Sequence, residues 1–154
     1  MHLKTLLLAA FAATTALAGS AGNAIVENHC PFTVFLWSVG GSIGPKHVLK
    51  QGGVYSEKIH RDPQSGGIAI KITRVDDGIF NNSPQTNFAY SLTDPRVFYD
   101  LSDVFGDPFS GSKVLLDPSD PNCADICWPD GIPPSGSQVR DCNAGTDLKL
   151  TLCA

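Results

Sequence analysis

The chain has 154 residues, with 11 basic and 15 acidic side chains and a net charge of −4; Glu27 and Glu57 are its only glutamates, so acid chemistry would rest mainly on aspartate. No run of Lys or Arg occurs, which argues against a nucleic-acid partner. The charge is uneven: residues 94–154 carry four basic side chains against ten aspartates, whereas residues 19–93 are close to neutral.

The first element in chain order is a leader. Lys4 precedes the apolar run Leu6–Ala13, and Ala16-Leu17-Ala18 meets the small-x-small rule, so residues 1–18 read as a secretory signal peptide cut after Ala18, with a cut after Gly22 as the alternative. The run is too short to cross a bilayer, and no other segment is long and apolar enough, so no membrane span is expected. Residues 19–154 are then one domain with enough chain for a core, secreted to the extracellular space or held in a cell wall. All five cysteines lie there: Cys30, Cys123, Cys127, Cys142 and Cys153. In an oxidising compartment they are disulfide candidates first, and the odd number leaves at least one unpaired or joined between chains. Cys123-x3-Cys127 lacks the flanks of a zinc ribbon and has no His near it, so no metal is expected.

After a small-residue linker, Gly19–Ala24, the segment Thr33–Val39 is strongly β-forming, with Phe35, Trp37 and Val39 on one face and Val34 and Leu36 on the other, as in a strand covered from both sides. Glycines and Pro45 punctuate the next stretch, and Gln51-Gly52-Gly53 turns into Val54–Ile59. The turn Asp62–Gly67 leads to Ile68–Thr73, whose alternation places three isoleucines inward and Ala69, Lys71 and Thr73 outward. Thr86–Leu92 puts Phe88, Tyr90 and Leu92 on one face; Val97–Leu101, Lys113–Leu116 and Asp147–Leu152 are further strands. Asp117–Thr146 shows no strand pattern and holds three cysteines, as a long loop in need of a staple would. Short strands between frequent turns, with no sustained helical stripe, predict an all-β sandwich.

Several blocks resemble a known family. Ala24–Trp37 resembles the opening of thaumatin-like proteins, Thr86–Leu92 followed by Phe98-Tyr99-Asp100-Leu101-Ser102 resembles their paired strands ending in Phe-Tyr-Asp-x-Ser, and Leu148–Cys153 resembles their last strand and last cysteine. Leu36–Gly40, Gly66–Lys71, Tyr99–Phe109 and Cys127–Gly131 are similar to the fungal yeast-phase-specific (Blastomyces-type) secreted proteins, a compact relative of thaumatin. The resemblance implies a thaumatin-like antiparallel β-sandwich with a disulfide-stapled loop near the C-terminus, linked to fungal growth phase and host contact. It also implies a bond between the first and last cysteines, Cys30–Cys153, and leaves Cys142 to pair with Cys127 or Cys123.

In thaumatin-like proteins an acidic cleft is implicated in glucan binding, and Asp100 matches one of its carboxylates. The next cleft acid lies five residues on, where this chain has Phe105. Asp103 and Asp107 are the remaining acids of the block, and Tyr99 is a further ligand-binding candidate. A glycosidase would need two carboxylates at a defined spacing, one of them with a raised pKa. Asp100 with Asp103 or Asp107 is the pair available for it, although aspartates at such positions also serve turns. Tyr55, Tyr99, Trp37 or Trp128 would stack on sugar rings if exposed. His29, His47 and His60 lack ligand spacing, the three aspartates fit no known Ca²⁺ loop, and no nucleophile elbow, P-loop or dinucleotide fingerprint occurs, so no cofactor is expected. Asn81-Asn82-Ser83 is a glycosylation sequon with Pro84 directly after it.

These readings converge on a secreted, non-enzymatic protein of the fungal surface or host interface that binds a cell-wall polysaccharide such as glucan, or a surface protein of host or fungus. A weak β-glucan hydrolase is the alternative. An antimicrobial or membrane-active effector is the third, and the acidic balance counts against it.

Overall fold

The computed structural model describes residues 19–154; the signal-peptide expectation lies outside the described residues. Eleven strands run in order: β1 Asn23–Asn28, β2 Val34–Val39, β3 His47–Leu49, β4 Val54–Lys58, β5 Ile68–Thr73, β6 Gln85–Thr93, β7 Arg96–Val104, β8 Val114–Pro118, β9 Ile126–Trp128, β10 Arg140–Asn143 and β11 Leu148–Leu152. One 3₁₀ turn, Gly78–Phe80, interrupts them. The strands form a five-stranded sheet in the order β4-β1-β11-β8-β9 and a six-stranded sheet in the order β10-β7-β6-β5-β2-β3. The expected all-β sandwich is present.

Alternation explains the core. The five-stranded sheet contributes Ala24, Val26, Val114, Leu116, Leu148, Leu150 and Leu152, all fully buried. The six-stranded sheet answers with Val34, Leu36, the three isoleucines of β5, Phe88, Tyr90, Val97, Tyr99 and Leu101. Register keeps these in rows: Leu36 pairs with Ile72, Ile72 with Thr86, and Ile70 with Phe88, which in turn faces Leu101. A slip of one residue in any strand would turn its whole apolar set outward.

β1 runs parallel to β11, whereas the other strand pairs are antiparallel; Val26 lies beside Leu150 and Asn28 beside Leu152. The Cys30–Cys153 disulfide closes this pair across 123 residues. Buried Asn28 completes the join. Its Nδ2 donates to the Phe32 and Leu49 carbonyls, both at 2.9 Å, and its Oδ1 accepts the Cys30 N–H at 3.0 Å. Its backbone groups pair with Gly52 and Gly53.

Three expectations are corrected. Asn23 and Ala24 belong to β1 rather than to a linker, because the Ala24 methyl is fully buried opposite Leu148. The stretch Asp117–Thr146 contains β9 and β10, three and four residues long, too short to show a period but sufficient to pair along the margins of β8 and β7. β3 is equally short. Thr73 is fully buried rather than outward, since the chain after β5 folds back over it: its hydroxyl donates to the Val75 carbonyl at 2.7 Å, and Gly78 packs against its side chain. The same fold-back sets Phe80 edge-on against Trp37, which covers the outer face of β2 at Trp37, while Phe35 and Val39 on that face stay half-buried.

The second disulfide joins Cys123 to Cys142, which settles the open pairing and leaves Cys127 as an exposed free thiol on β9. Replacing both Cys30 and Cys153 by alanine is expected to lower the unfolding free energy by about 2–5 kcal/mol, read from urea unfolding. Asn28→Ala should cost about 2–3 kcal/mol through three orphaned backbone partners, and Asn28→Asp at least as much, because a carboxylate cannot donate to the Phe32 and Leu49 carbonyls.

Candidate functional site

The outer face of the six-stranded sheet holds a preformed trough. One cross-strand row there reads Val39, Ala69, Ala89, Asp100, on β2, β5, β6 and β7. The next row reads Trp37, Lys71, Asn87, Ser102. Two alanines side by side between larger neighbours leave a depression of about 400 Å³, walled by Val39, Phe98 and Val139. Gly67 narrows its end: a Cβ there would lie 2.9 Å from the Tyr90 carbonyl oxygen. Phe98, on the strand expected over Val97–Leu101, turns its ring outward with 38% exposure.

Asp100 closes the row and is partly buried. Burial raises its carboxyl above the usual aspartate range, opposed by the Leu101 N–H and by the positive charge of Arg140. β10 begins at Arg140, opposite Tyr99, so from Asp100 onward β7 has no strand on that side. A second hollow of about 260 Å³ opens there, between β7 and the loop Pro133–Gln138. Asp100 is the one residue that lines both hollows.

The other predicted residues are distributed by strand period. Asp103 lies three positions from Asp100, so its side chain leaves β7 on the opposite face, toward Thr86, whose hydroxyl it accepts at 2.6 Å. Burial first, and Asp107 beside it, push Asp103 up to about 7, against the Thr86 hydrogen bond. The structure thus brings Asp103 and Asp107 together, while Asp100 leaves β7 on the other face and meets Asp103 only across the second hollow. Tyr99 is a correction: only 1% exposed, with its hydroxyl donating to the Ala124 carbonyl, it offers no ring to a ligand. Trp37 and Trp128 are likewise buried, because both belong to packed strands. Phe105, at the position of the family's second acid, is 57% exposed with φ 63°. Asn81 is exposed, and its side-chain oxygen accepts the Ser83 N–H at 3.2 Å and the Ser83 hydroxyl at 2.5 Å.

Two features escaped the sequence. Glu57 is clamped by two phenols, accepting Tyr55 Oη and Tyr90 Oη at 2.7 Å each, which ties β4 of one sheet to β6 of the other. Burial, then contact with Glu57, raises both tyrosines above their usual range. At the rim of the trough, Asp62 accepts the N–H groups of Gln64 and Ser65 and the Ser65 hydroxyl at 2.7–2.9 Å. These bonds, the Ser65 N–H foremost and the Gly41 N–H next, hold its carboxyl down to about 2. Among the described residues, Asp120, Cys123 and Cys142 form the one group close enough to share a metal ion, and both sulfurs are already joined in a disulfide.

The family described as Blastomyces yeast-phase-specific protein matches residues 11–154. The chain belongs to this family. An antigenic thaumatin-like protein of Arthroderma benhamiae is 34% identical over 157 residues, covering 96% of this chain and 78% of the relative. The secreted thaumatin-like protein calA of Emericella nidulans is 29% identical, over 85% of this chain and 81% of its own. Among solved structures, the protein elicitor MoHrip2 from Magnaporthe oryzae superposes with a TM-score of 0.73 at 26% identity, covering 87% of this chain and all of that one. The thaumatin-like xylanase inhibitor TLXI superposes at 0.58 with 16% identity, covering 85% of this chain and 99% of its own, a likeness of fold alone. The member described here is thus a secreted fungal thaumatin-like protein, stabilised by disulfides.

Because the Asp62 pKa is depressed, its contribution to the rim turn is complete above the ordinary aspartate pKa and is lost only as pH falls through about 2. The amide resonances of Gln64 and Ser65 are therefore expected to stay put down to pH 3 and to shift with a midpoint near 2; a midpoint near 4 would contradict the turn's geometry.

Proposed function

We propose that this protein is a non-catalytic binding protein of the fungal surface or host interface, and that the trough and hollow flanking Asp100 take a cell-wall polysaccharide. The observation that carries this reading is the row Val39–Ala69–Ala89–Asp100. Small residues floor a slot whose volume falls in the range of ligand sites, an exposed aromatic ring borders it, and a single carboxylate stands where the apolar trough meets the more open hollow. A sugar ring has an apolar face suited to Phe98 and hydroxyls suited to Asp100 and Ser91, and a linear chain has the length to enter both depressions. Asp100 and Asp103 border the same hollow but leave β7 on opposite faces, and Asp103 has one oxygen bonded to Thr86 and the other buried, which favours binding over hydrolysis by that pair.

The test is retention of the secreted protein on insoluble glucan and chitin, with released sugar measured in parallel. Ala89→Leu fills the trough from an outward position and is expected to reduce retention at least tenfold while the unfolding temperature stays within a few degrees. Sugar release that disappears in Asp100→Asn would overturn the non-catalytic reading. Likeness to a protein elicitor supports a second reading, recognition of this surface by a host protein. Absence of retention on either polysaccharide, together with capture of a host surface protein that Ala89→Leu abolishes, would favour it.

A further inference from the structure

The inner side of β7 holds a group that the ligand-site reading does not use. The core row Leu36–Ile72–Thr86 ends on Asp103, so a carboxyl caps a row of buried side chains. Its Oδ1 accepts the Thr86 hydroxyl, while its Oδ2 is buried with no hydrogen-bond partner. Beyond Val104 the chain reverses through Phe105, φ 63°, and Gly106, φ 116°, and returns Asp107 to the side of Asp103 within hydrogen-bonding reach. No basic side chain is hydrogen-bonded or ion-paired to either carboxyl among the described residues. On β6 the neighbours Gln85, Thr86 and Asn87 are uncharged, and so is the loop Pro133–Gln138 across the hollow. Asp100 leaves β7 on the other face, and Arg74 places its guanidinium over the Phe32 ring and against the Pro108 carbonyl.

We propose that Asp103, with its buried and unpartnered oxygen facing the turn Val104–Pro108, acts as a pH switch, which sets the charge of the second hollow and the position of that turn, so that a ligand seated at Asp100 is retained in acid and released toward neutrality. The release half rests on the ligand-site reading above; the switch itself does not. In acid, Asp103 Oδ2–H donates to the Asp107 carboxylate, giving the buried oxygen the partner it otherwise lacks. As pH rises the proton passes to water. Two like charges then face each other without a cation, and Oδ2 is left buried and ionised. The turn is the part able to yield, because a bulky residue in the left-handed region is relieved when Phe105 moves. Asp103 lines the same hollow as Asp100, so its ionisation adds charge beside the ligand.

The sign follows from the raised Asp103 pKa of about 7. Between the ordinary aspartate value, about 4, and about 7, the folded chain binds more protons than the unfolded one. Stability therefore falls as pH rises through that window.

Carbon-13 NMR of the aspartate carboxyls in the secreted chain from pH 4 to 8 tests the switch without any ligand. Asp103 is expected to titrate near 7, with the amides of Phe105 and Gly106 moving at the same midpoint; titration near 4 would overturn the switch whatever the binding result. Asp103→Asn should flatten the fall in unfolding temperature between pH 5 and 8. Retention on insoluble glucan is expected to drop about threefold or more over the same range in the wild type and to lose that dependence in Asp103→Asn. Glucan binding that ignores pH while Asp103 titrates near 7 overturns the coupling. Glucan that binds at no pH overturns the ligand-site reading and the release half, while the titration still decides the switch.

Discussion

The parallel pairing of the first and last strands is the constraint on which the rest of the sandwich depends. Two segments more than a hundred residues apart must meet in register before the five-stranded sheet has a centre, because β4 pairs with β1 and β8 pairs with β11. Closing so long a loop is entropically costly, and the Cys30–Cys153 disulfide removes much of that cost from the unfolded state. The disulfide alone does not set register. Asn28 does so, since its amide reads the carbonyls of Phe32 and Leu49 at once, and a shift of β1 by one residue would leave a buried amide and two carbonyls unpaired.

With the core occupying one side of the six-stranded sheet, the other side is free to differ along its length. One end is sealed where the chain after β5 folds back and Phe80 meets Trp37. The other end is left open where Ala69 and Ala89 stand together. Covered and open regions thus lie on one sheet face, divided by the step from the row of Trp37 and Lys71 to the row of Val39 and Ala69. The acids of the same sheet are sorted by the same period of two. Asp100 belongs to the open face, Asp103 to the core side, and the turn after Val104 brings Asp107 to the latter. One short acidic sequence therefore serves two environments, and burial raises the carboxyl in both.

Much of the fold was legible in the residues. The inward sets Ile68, Ile70, Ile72 and Leu148, Leu150, Leu152 follow from period alone, and the family resemblance supplied the Cys30–Cys153 bond. The candidate site was legible only in part. Asp100 stood out through the Phe-Tyr-Asp-x-Ser block, but Tyr99 beside it, also a candidate, is spent on the core and on the Ala124 carbonyl. Ala69 and Ala89 carry no signal of their own; they matter because antiparallel register sets them side by side across two strands.

Local pattern by itself determined the class of this protein: short strands between frequent turns, several cysteines, and an acidic C-terminal part. These follow from side-chain period, turn chemistry and composition, which are properties of neighbours in sequence. Tertiary structure alone decided that Cys142 bonds Cys123, that Thr73 is covered, that Glu57 bridges the sheets between two tyrosines, and that Asp100 and Asp103 part company. Each of these depends on the register or packing of segments distant along the chain, where a single residue's offset exchanges solvent for core.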